Sequence, residues 1–190
     1  VYLSPAPLYH AAPHGYVQRT LSEGGTAVIL PKFDPEAALA AIERYRVTHS
    51  QWVPTMFVRL LALPDGVRRR YDLSSHRCAI HAAAPCPVPV KRAMIDWWGP
   101  IIHEYYAGSE GIGTTVVDSH TWLARPGTVG QPVNGVTVHI LDDGGRELPV
   151  GETGRIFFAG GPRFAYHNAA EKTAASYDAR TGWATLGDLG

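Results

Sequence analysis

Residues 101–113 read IIHEYYAGSEGIG, and this stretch decides how the chain is interpreted. Its apolar start, Ile101 and Ile102, predicts a strand that runs through Tyr105 and ends in small residues around Ser109 and Glu110. Small side chains let a ligand approach the backbone, whose N–H groups then become available as donors. A strand that ends in hydroxyls and a carboxylate, with little bulk around them, predicts a ligand site.

Strand and helix patterns alternate in the residues that precede this stretch. Asp34 is a typical N-cap with Pro35 at the first helical position, and Thr55 is expected to cap a helix in the same way. Such alternation is typical of βαβ units. It predicts an α/β fold with a layered, mostly parallel sheet. The strands are expected at 26–30, 50–53, 77–81 and 101–105, and the helices after Asp34, at 56–63 and at 88–98.

Beyond about residue 114 the pattern changes, and strands and turns replace most of the helices. Residues 136–141 alternate toward the turn sequence Asp-Asp-Gly-Gly, and residues 154–159 read as another strand. A short helix is expected at 169–176. We therefore expect two subdomains: an α/β subdomain over 1–118, and a small β-rich, distorted barrel-like subdomain over 119–190.

The composition excludes several classes of partner. Lys and Arg together number 17, as do Asp and Glu, so no net charge attracts nucleic acid or an anionic membrane. No apolar run is long enough to span a bilayer, and the spacing of Cys78 and Cys86 matches neither a zinc site nor a disulfide framework. We expect a cytoplasmic protein. Because the sequence opens without Met, we also expect an internal piece of a longer protein.

Two loops of small residues follow predicted strands, HAAAP at 81–85 and AGSEG at 107–111. In an open parallel sheet, ligands bind at the carboxyl ends of the strands. A tyrosine there can stack on a base, a serine hydroxyl can donate to a phosphate, and a glutamate can hold Mg²⁺. Tyr106, Ser109 and Glu110 together indicate a nucleotide site, although a tight turn would explain either loop taken alone.

Three other interpretations compete with the nucleotide site. The sequence AGSEG at 107–111 is close to the G-x-S-x-G elbow of serine hydrolases, but that elbow leads into a helix, and 112–117 is rich in glycine and β-branched residues. The glycines do not follow the order of a dinucleotide fingerprint. His10 and His14 are four apart, but Pro13 is expected to break a helix that carries both. The nucleotide site is favoured, with His10 as a further pocket residue.

Five motifs in order resemble the acyl-adenylate-forming superfamily, which includes acyl-CoA synthetases, peptide-synthetase adenylation domains and luciferases. They are Pro-Leu-Tyr-His at 7–10, Ala-Ala-Ala-Pro at 82–85, Tyr-Ala-Gly-Ser-Glu at 106–110, Gly-Glu-Thr-Gly at 151–154, and Gly-Trp followed by Gly-Asp at 182–188. The resemblance covers nearly the whole chain. The acyl-CoA synthetase branch is the most similar, because of the first two motifs.

The resemblance implies a two-step reaction. A carboxylic acid attacks the α-phosphate of ATP to give acyl-AMP and pyrophosphate, and a thiol, usually coenzyme A, then displaces AMP. Carried over residue by residue, it implies that Tyr106 stacks on adenine and that Asp188 binds the ribose. Ser109 would contact phosphate, Glu110 would hold Mg²⁺, and His10 would lie beside the acyl carboxylate. The other residues implied to line the nucleotide are Ala83, Ala84, Pro85, Glu104, Tyr105, Ala107 and Gly108.

Two departures from the family pattern concern this site. Ala107 stands where glycine is usual, and Leu186 stands where threonine usually precedes Gly-Asp. A non-catalytic nucleotide-binding module therefore stays open as an alternative, as does a peptide-synthetase adenylation domain. The acid, whether fatty, aromatic or sterol-like, is open too. Because the family's phosphate loop and C-terminal lysine lie outside the sequence, we expect the 190-residue chain alone to be inactive.

Overall fold

A computed structural model describes residues 1–190. Packing divides the chain into two compact units, each of which is discontinuous in sequence. The first unit comprises Val1–Tyr105 and Val117–Gly130, and the second comprises Tyr106–Val116 and Gln131–Gly190. The subdomain boundary at residue 118 stays a prediction.

The first unit contains a five-stranded parallel sheet in the order β2-β1-β3-β4-β5, together with six helices. Its strands are β1 (Tyr2–Ser4), β2 (Ala27–Ile29), β3 (His49–Trp52), β4 (Cys78–His81) and β5 (Ile102–Ala107), whose last two residues belong to the second unit. Its helices are α1 (Ala11–Ser22), α2 (Pro35–Tyr45), α3 (Pro54–Leu61), α4 (Asp65–Arg68), α5 (Val88–Trp98) and α6 (Ser119–Ala124). The predicted α/β fold is confirmed.

Strand β1, which the sequence did not reveal, lies inside this sheet. Tyr2 pairs in parallel with Ala27 of β2 on one side and with His49 of β3 on the other. All three residues of β1 are buried, so neither face of the strand is exposed to solvent. Its side chains therefore show no alternation between a polar and an apolar face. Period-two alternation is the signal of a strand with one solvated face, and a short strand buried on both faces lacks it.

Aromatic side chains form the centre of the first unit's core. Trp52 is fully buried, and its ring centroid lies 6.3 Å from that of Phe57 and 5.2 Å from that of Trp98. Leu39 and Met94, from α2 and α5, are also fully buried in this cluster. Burying one such side chain stabilises the fold by about 1.5–3 kcal/mol. The core therefore fixes β3, on which the cluster is centred.

The start of α2 is confirmed, but the start of α3 differs from the prediction. The Asp34 side chain accepts a hydrogen bond of 2.8 Å from the Ala37 N–H, as an N-cap should. Thr55 is not a cap: Pro54 is the first residue of α3, and Val53 takes the capping position in an extended conformation. Proline needs no N–H partner at this position, and it keeps the preceding residue extended.

Pro13 does not prevent a helix, and that prediction was wrong. Helix α1 begins at Ala11, with His10 as its N-cap residue, and it continues through His14. The His14 N–H donates to the His10 carbonyl at 3.2 Å. Pro13 lies in the first turn, where the N–H groups have no partner within the helix, so its missing N–H removes no hydrogen bond.

The second unit is rich in β-structure, as predicted. It contains β6 (Thr114–Val117, the last residue belonging to the first unit), β7 (Gln131–Pro132), β8 (Thr137–Leu141), β9 (Arg155–Ala159) and α7 (Ala170–Ala175). Strands β8 and β9 form an antiparallel pair, and β6 pairs antiparallel with β7. A turn follows β8 as expected: Gly145 N–H donates to the Asp142 carbonyl at 3.0 Å, and Asp142 Oδ1 accepts from Gly144 N–H at 2.9 Å.

The second unit has its own small core, formed by Ile112, Phe158 and Ala184. The backbone of Ala184 pairs with Phe158 on β9, so the residues before Asp188 run beside that strand. Gly161 lies against the Ile112 carbonyl, where a Cβ would overlap the oxygen. None of the helices in either unit is both long and apolar enough to cross a membrane.

Candidate functional site

The loop that follows β5 is a tight turn. The Gly111 N–H donates to the Gly108 carbonyl at 3.1 Å, and Gly111 adopts a φ of 70°, which favours glycine. Ser109 and Glu110 are therefore the two central residues of the turn, and Ser109 is exposed. Strand β6 follows the turn, whereas a serine-hydrolase elbow requires a helix there. The two polar residues are thus adjacent at the tip of this turn.

Tyr106 and Asp188 come together although 82 residues separate them. The phenol of Tyr106 donates to Asp188 Oδ2 at 2.6 Å. The ring stacks on Phe158, with centroids 6.0 Å apart and planes inclined by 23°. Burial, and secondarily the Asp188 carboxylate, raises the pKa of Tyr106, so the phenol stays protonated at neutral pH. The two residues predicted to bind the adenosine part of a nucleotide are thus direct partners.

Glu110 has a phenol partner of its own. Tyr166, in the segment between β9 and α7, donates from its hydroxyl to Glu110 Oε1 at 2.6 Å. This hydrogen bond is the main reason why the pKa of Glu110 is lowered, and the Lys172 ammonium adds a smaller effect in the same direction. The Glu110 side chain is accordingly an ionised carboxylate at neutral pH, and the direction of one of its oxygens is set by Tyr166.

Gly108 leaves the space that the Glu110 carboxylate occupies. A Cβ at Gly108 would lie 2.6 Å from Glu110 Oε2 and 2.6 Å from Leu186 Cδ2. Both distances are far below van der Waals contact, so a side chain at position 108 would displace the ends of the Leu186 and Glu110 side chains. Leu186 and Gly108 are therefore packed against each other in this chain.

The loop after β4, in the first unit, has an unusual backbone. Ala82 is buried and its N–H donates to the Trp52 carbonyl at 3.4 Å, whereas Ala83, Ala84 and Pro85 are exposed. Ala83 adopts a φ of 75°, in the left-handed region that alanine rarely enters. Conformations of this kind cost about 1–3 kcal/mol and cluster at ligand sites. The predicted contact of these residues with adenine stays a prediction.

Glu104 lies in a buried ion pair within the first unit. Its Oε2 is 2.5 Å from Lys91 Nζ and 3.5 Å from His81 Nε2, and the Lys91 side chain is fully buried. The ammonium also lies 4.9 Å from the centroid of the Trp122 ring. Burial lowers the pKa of Lys91, while the hydrogen bond to Glu104 opposes that effect. Because its carboxylate is engaged by Lys91, the predicted contact of Glu104 with nucleotide would involve its backbone.

Two further predicted site residues also lie in the first unit. His10 is exposed at the start of α1, and its ring is 4.5 Å from that of Tyr9. Tyr105, near the end of β5, is partly buried, and this burial raises its pKa. The roles predicted for both residues stay predictions.

The donors near Glu110 fit one kind of metal. No group of three or more His, Cys, Asp or Glu side chains is arranged to hold a metal ion. Mg²⁺ does not need such a cage, because it is usually held by one or two carboxylates together with substrate phosphates and water. The ionised carboxylate of Glu110, next to the exposed Ser109, fits Mg²⁺ that arrives with a nucleotide.

Sequence reasoning missed two residues that contact predicted site carboxylates. Lys91 does carry a signal, because it lies at helical spacing from Met94, Ile95 and Trp98 on the buried stripe of α5. A lysine on an apolar stripe points to a buried partner. Tyr166 carries none, since it is 56 residues from Glu110 and stands among polar and small residues.

The sequence matches the family model described as AMP-binding enzyme over residues 1–164. The chain belongs to this family. The turn after β5, with the Tyr-Ala-Gly-Ser-Glu motif at 106–110, lies within the matched residues of this AMP-binding enzyme domain. The predicted family membership is confirmed.

Relatives of this AMP-binding enzyme domain include CoA ligases. It is 34% identical over 190 residues to a feruloyl-CoA synthase of Amycolatopsis sp, with 98% of the chain and 38% of the relative covered. It is 34% identical over 193 residues to the medium/long-chain-fatty-acid–CoA ligase FadD8 of Mycobacterium tuberculosis, with 99% and 33% covered. The chain thus spans little more than a third of the length of these relatives.

The AMP-binding enzyme domain also superimposes on solved structures over its whole length. The amide bond synthetase McbA from Marinactinospora thermotolerans matches with a TM-score of 0.86 and 33% identity, and 38% of that chain is covered. The o-succinylbenzoate CoA synthetase MenE from Bacillus subtilis, in complex with ATP and magnesium ion, matches with a TM-score of 0.80 and 25% identity, again with 38% covered.

Proposed function

We propose that this AMP-binding enzyme domain is the central part of an ATP-dependent acid–thiol ligase. The full-length parent would activate a carboxylic acid as acyl-AMP, with release of pyrophosphate, and then transfer the acyl group to coenzyme A. The CoA ligases among its relatives support this reaction class. The 190-residue chain alone is expected to be inactive, because catalysis of this kind needs all its charge-stabilising groups held together.

One observation supports the proposal above the others. The segment 106–110 is joined by hydrogen bonds to two distant parts of the chain, through Tyr106 to Asp188 and through Glu110 to Tyr166. Two carboxylates are thereby fixed beside a turn that carries an exposed serine hydroxyl. A ribose with two hydroxyls and a phosphate with its metal are the ligand parts that such groups recognise.

Each residue has a separate task in this proposal. Asp188 accepts hydrogen bonds from the ribose hydroxyls, and Tyr106 stacks on adenine. Ser109 donates to a phosphate oxygen, and Glu110 would hold Mg²⁺. When bound, Mg²⁺ neutralises charge on the phosphates of ATP. The other residues predicted to contact the nucleotide are Ala83, Ala84, Pro85, Glu104, Tyr105, Ala107 and Gly108, and His10 would border the path of the acyl group and the thiol.

The Tyr106–Asp188 bond has a consequence for nucleotide binding. Asp188 is exposed to solvent, and its Oδ2 accepts a hydrogen bond of 2.6 Å from the Tyr106 phenol. Its other carboxylate oxygen can accept from a ribose hydroxyl. An acceptor held by a protonated phenol needs less reordering when the ligand arrives. Tyr106 would therefore both stack on the base and orient the ribose acceptor.

A second candidate differs in the acceptor. The match to an amide bond synthetase, at 33% identity and a TM-score of 0.86, favours an amine as an alternative to the thiol of coenzyme A. The first half-reaction would be the same in both cases. The acceptor is thus a question for the second half-reaction alone.

The test is the substitution Glu110→Gln in the full-length parent, with the two half-reactions measured separately across a Mg²⁺ titration. The amide is nearly isosteric, but a hard cation prefers a carboxylate oxygen. We expect acyl-AMP synthesis from ATP to slow by about 10²–10³-fold, which is typical of removing one positioned electrostatic stabiliser. Thioester formation from supplied acyl-AMP, which lacks the β- and γ-phosphates, should fall much less.

The matched control is Glu171→Gln, an exposed glutamate on α7 in the same unit. Equal losses in both half-reactions, or no loss in either, would make Glu110 a structural residue of the turn and would refute its metal role. Coenzyme A and a panel of amines, supplied with the same acyl-AMP, decide between the two acceptors. A parent that releases no pyrophosphate with any carboxylic acid but binds ATP would instead be a nucleotide-binding module.

A further inference from the structure

Tyr166 is held rigidly by its own unit. Its N–H donates to Thr173 Oγ1 at 2.9 Å, and the Thr173 hydroxyl donates to the Ala169 carbonyl at 2.9 Å. The Tyr166 ring meets Phe164 edge to face, with centroids 5.2 Å apart and planes at 85°. Since Thr173 belongs to α7, the start of this helix determines where the phenol lies.

A cation lies over the same ring. Lys172 Nζ is 3.8 Å from the centroid of the Tyr166 ring, which is within the range of a cation–π interaction. Helix α7 thus supplies both the hydroxyl that fixes the Tyr166 backbone and the ammonium that covers its ring. The ammonium also favours the negative charge of Glu110, toward which the phenol points.

The carboxylate of Glu110 is consequently restricted at both oxygens. Oε1 accepts from the Tyr166 phenol at 2.6 Å, and Oε2 lies in the space left by the missing side chain of Gly108. Because the Tyr166 phenol occupies Oε1, Oε2 is the oxygen that we expect a ligand to reach. A glutamate on a solvent-facing turn would otherwise sample several rotamers.

We propose that Tyr166 is a positioning residue, which, with Lys172 over its ring, holds Glu110 in the orientation in which its carboxylate would bind the Mg²⁺ that arrives with ATP. This inference rests on the proposed function of Glu110. Partners of this kind, which orient a ligating side chain without touching the metal, typically change metal affinity or activity by about 10–100-fold when they are removed. Tyr166 would thus act through Glu110 and would not contact the nucleotide.

The experiment is Tyr166→Phe in the full-length parent, with ATP binding measured by calorimetry in excess Mg²⁺ and again in EDTA. The substitution keeps the ring beneath Lys172 and removes only the hydroxyl. We expect affinity for ATP in Mg²⁺ to fall about 10-fold or more, while affinity for ATP in EDTA is unchanged. Tyr45→Phe, which alters an exposed tyrosine on α2, is the matched control and should leave both affinities unchanged.

A second variant covers the case in which Tyr166→Phe fails to fold, which circular dichroism would reveal. Lys172→Met removes the cation above the ring and should weaken ATP binding in Mg²⁺ but not in EDTA, whereas Lys172→Arg should restore it. Equal affinities of wild type and of the folded variants in Mg²⁺, or equal losses in Mg²⁺ and EDTA, overturn the positioning role. A wild-type parent that binds no ATP in either condition overturns the proposed function itself, so the two failures are distinguishable.

Discussion

Replacing Lys91 with Met tests the buried ion pair of the first unit. The methionine keeps most of the volume of the lysine stem but removes its charge, and it leaves Glu104 only 8% exposed without a cation. Breaking a buried pair by removing one partner typically destabilises a protein by about 3–5 kcal/mol. The electrostatic contribution of this substitution to the free energy of unfolding can be separated from its packing contribution, because only the electrostatic one depends on pH.

The expected magnitude has an upper limit set by protonation. A carboxyl group with an ordinary pKa of about 4.3 can lose its charge by binding a proton. The free energy of this protonation is about 3.7 kcal/mol at pH 7 and about 1 kcal/mol at pH 5. His81, whose pKa is lowered to about 3 by burial and secondarily by Lys91, lies 3.5 Å from the carboxylate and can take up the proton in its place. Protonating a histidine of ordinary pKa about 6.5 costs about 0.7 kcal/mol at pH 7, to which the burial of the imidazole adds, so this route gives a smaller loss and a weaker pH dependence.

The sign follows from linkage. In the variant, burial of a carboxylate without a cation favours its protonated form in the folded state, so stability is retained at low pH and is lost as pH rises. We expect Lys91→Met to lower the free energy of unfolding by up to about 3–4 kcal/mol at pH 7 and by no more than about 1 kcal/mol at pH 5. Adding Glu104→Gln should recover much of the loss at pH 7.

The assay is urea unfolding of the 190-residue chain, followed by circular dichroism at pH 5, 6 and 7. Lys32→Met, at an exposed lysine, is the control and should change stability by less than about 0.5 kcal/mol. A Lys91→Met defect of the same size at pH 5 and pH 7 would refute the reasoning, because lost packing has no such pH dependence.

Three other predictions address the site and the core. Asp188→Ala in the full-length parent should weaken ATP binding by roughly 1–3 kcal/mol without affecting binding of the acid, as measured by calorimetry; unaltered ATP affinity would remove it as the ribose ligand. Gly108→Ala should lower the free energy of unfolding by no more than about 1 kcal/mol, because the ends of the flexible Leu186 and Glu110 side chains can shift, and Leu186→Ala should relieve this loss. Burial lowers the pKa of His76 to about 4, so the contribution of His76 to stability should be full above about pH 6.5 and fall by about 1.4 kcal/mol per unit as pH drops toward 4; an unchanged slope in His76→Gln would contradict this.

Local signals predicted most elements of the fold. Helix α5 has the bounds that were expected, and Asp34 caps α2. These features depend on residues that are close in sequence, within one or two helical turns of each other, so the sequence pattern predicts them. The errors arose where two local rules competed: Thr55 is a good capping residue, but Pro54 prefers the first helical position and took it.

The sequence by itself determined the order of the elements from β2 to β5 other than α4, the turn that carries Ser109 and Glu110, and the family, because each depends on short stretches of residues. Only the tertiary structure decided which partners those residues have. Tyr106 bonds to Asp188, which is 82 residues away in sequence, and Glu110 bonds to Tyr166, which is 56 residues away. Glu104, on strand β5, bonds to Lys91 on helix α5. Hydrogen bonds of this kind depend on where the chain returns in space, and periodicity along the chain carries no information about that return.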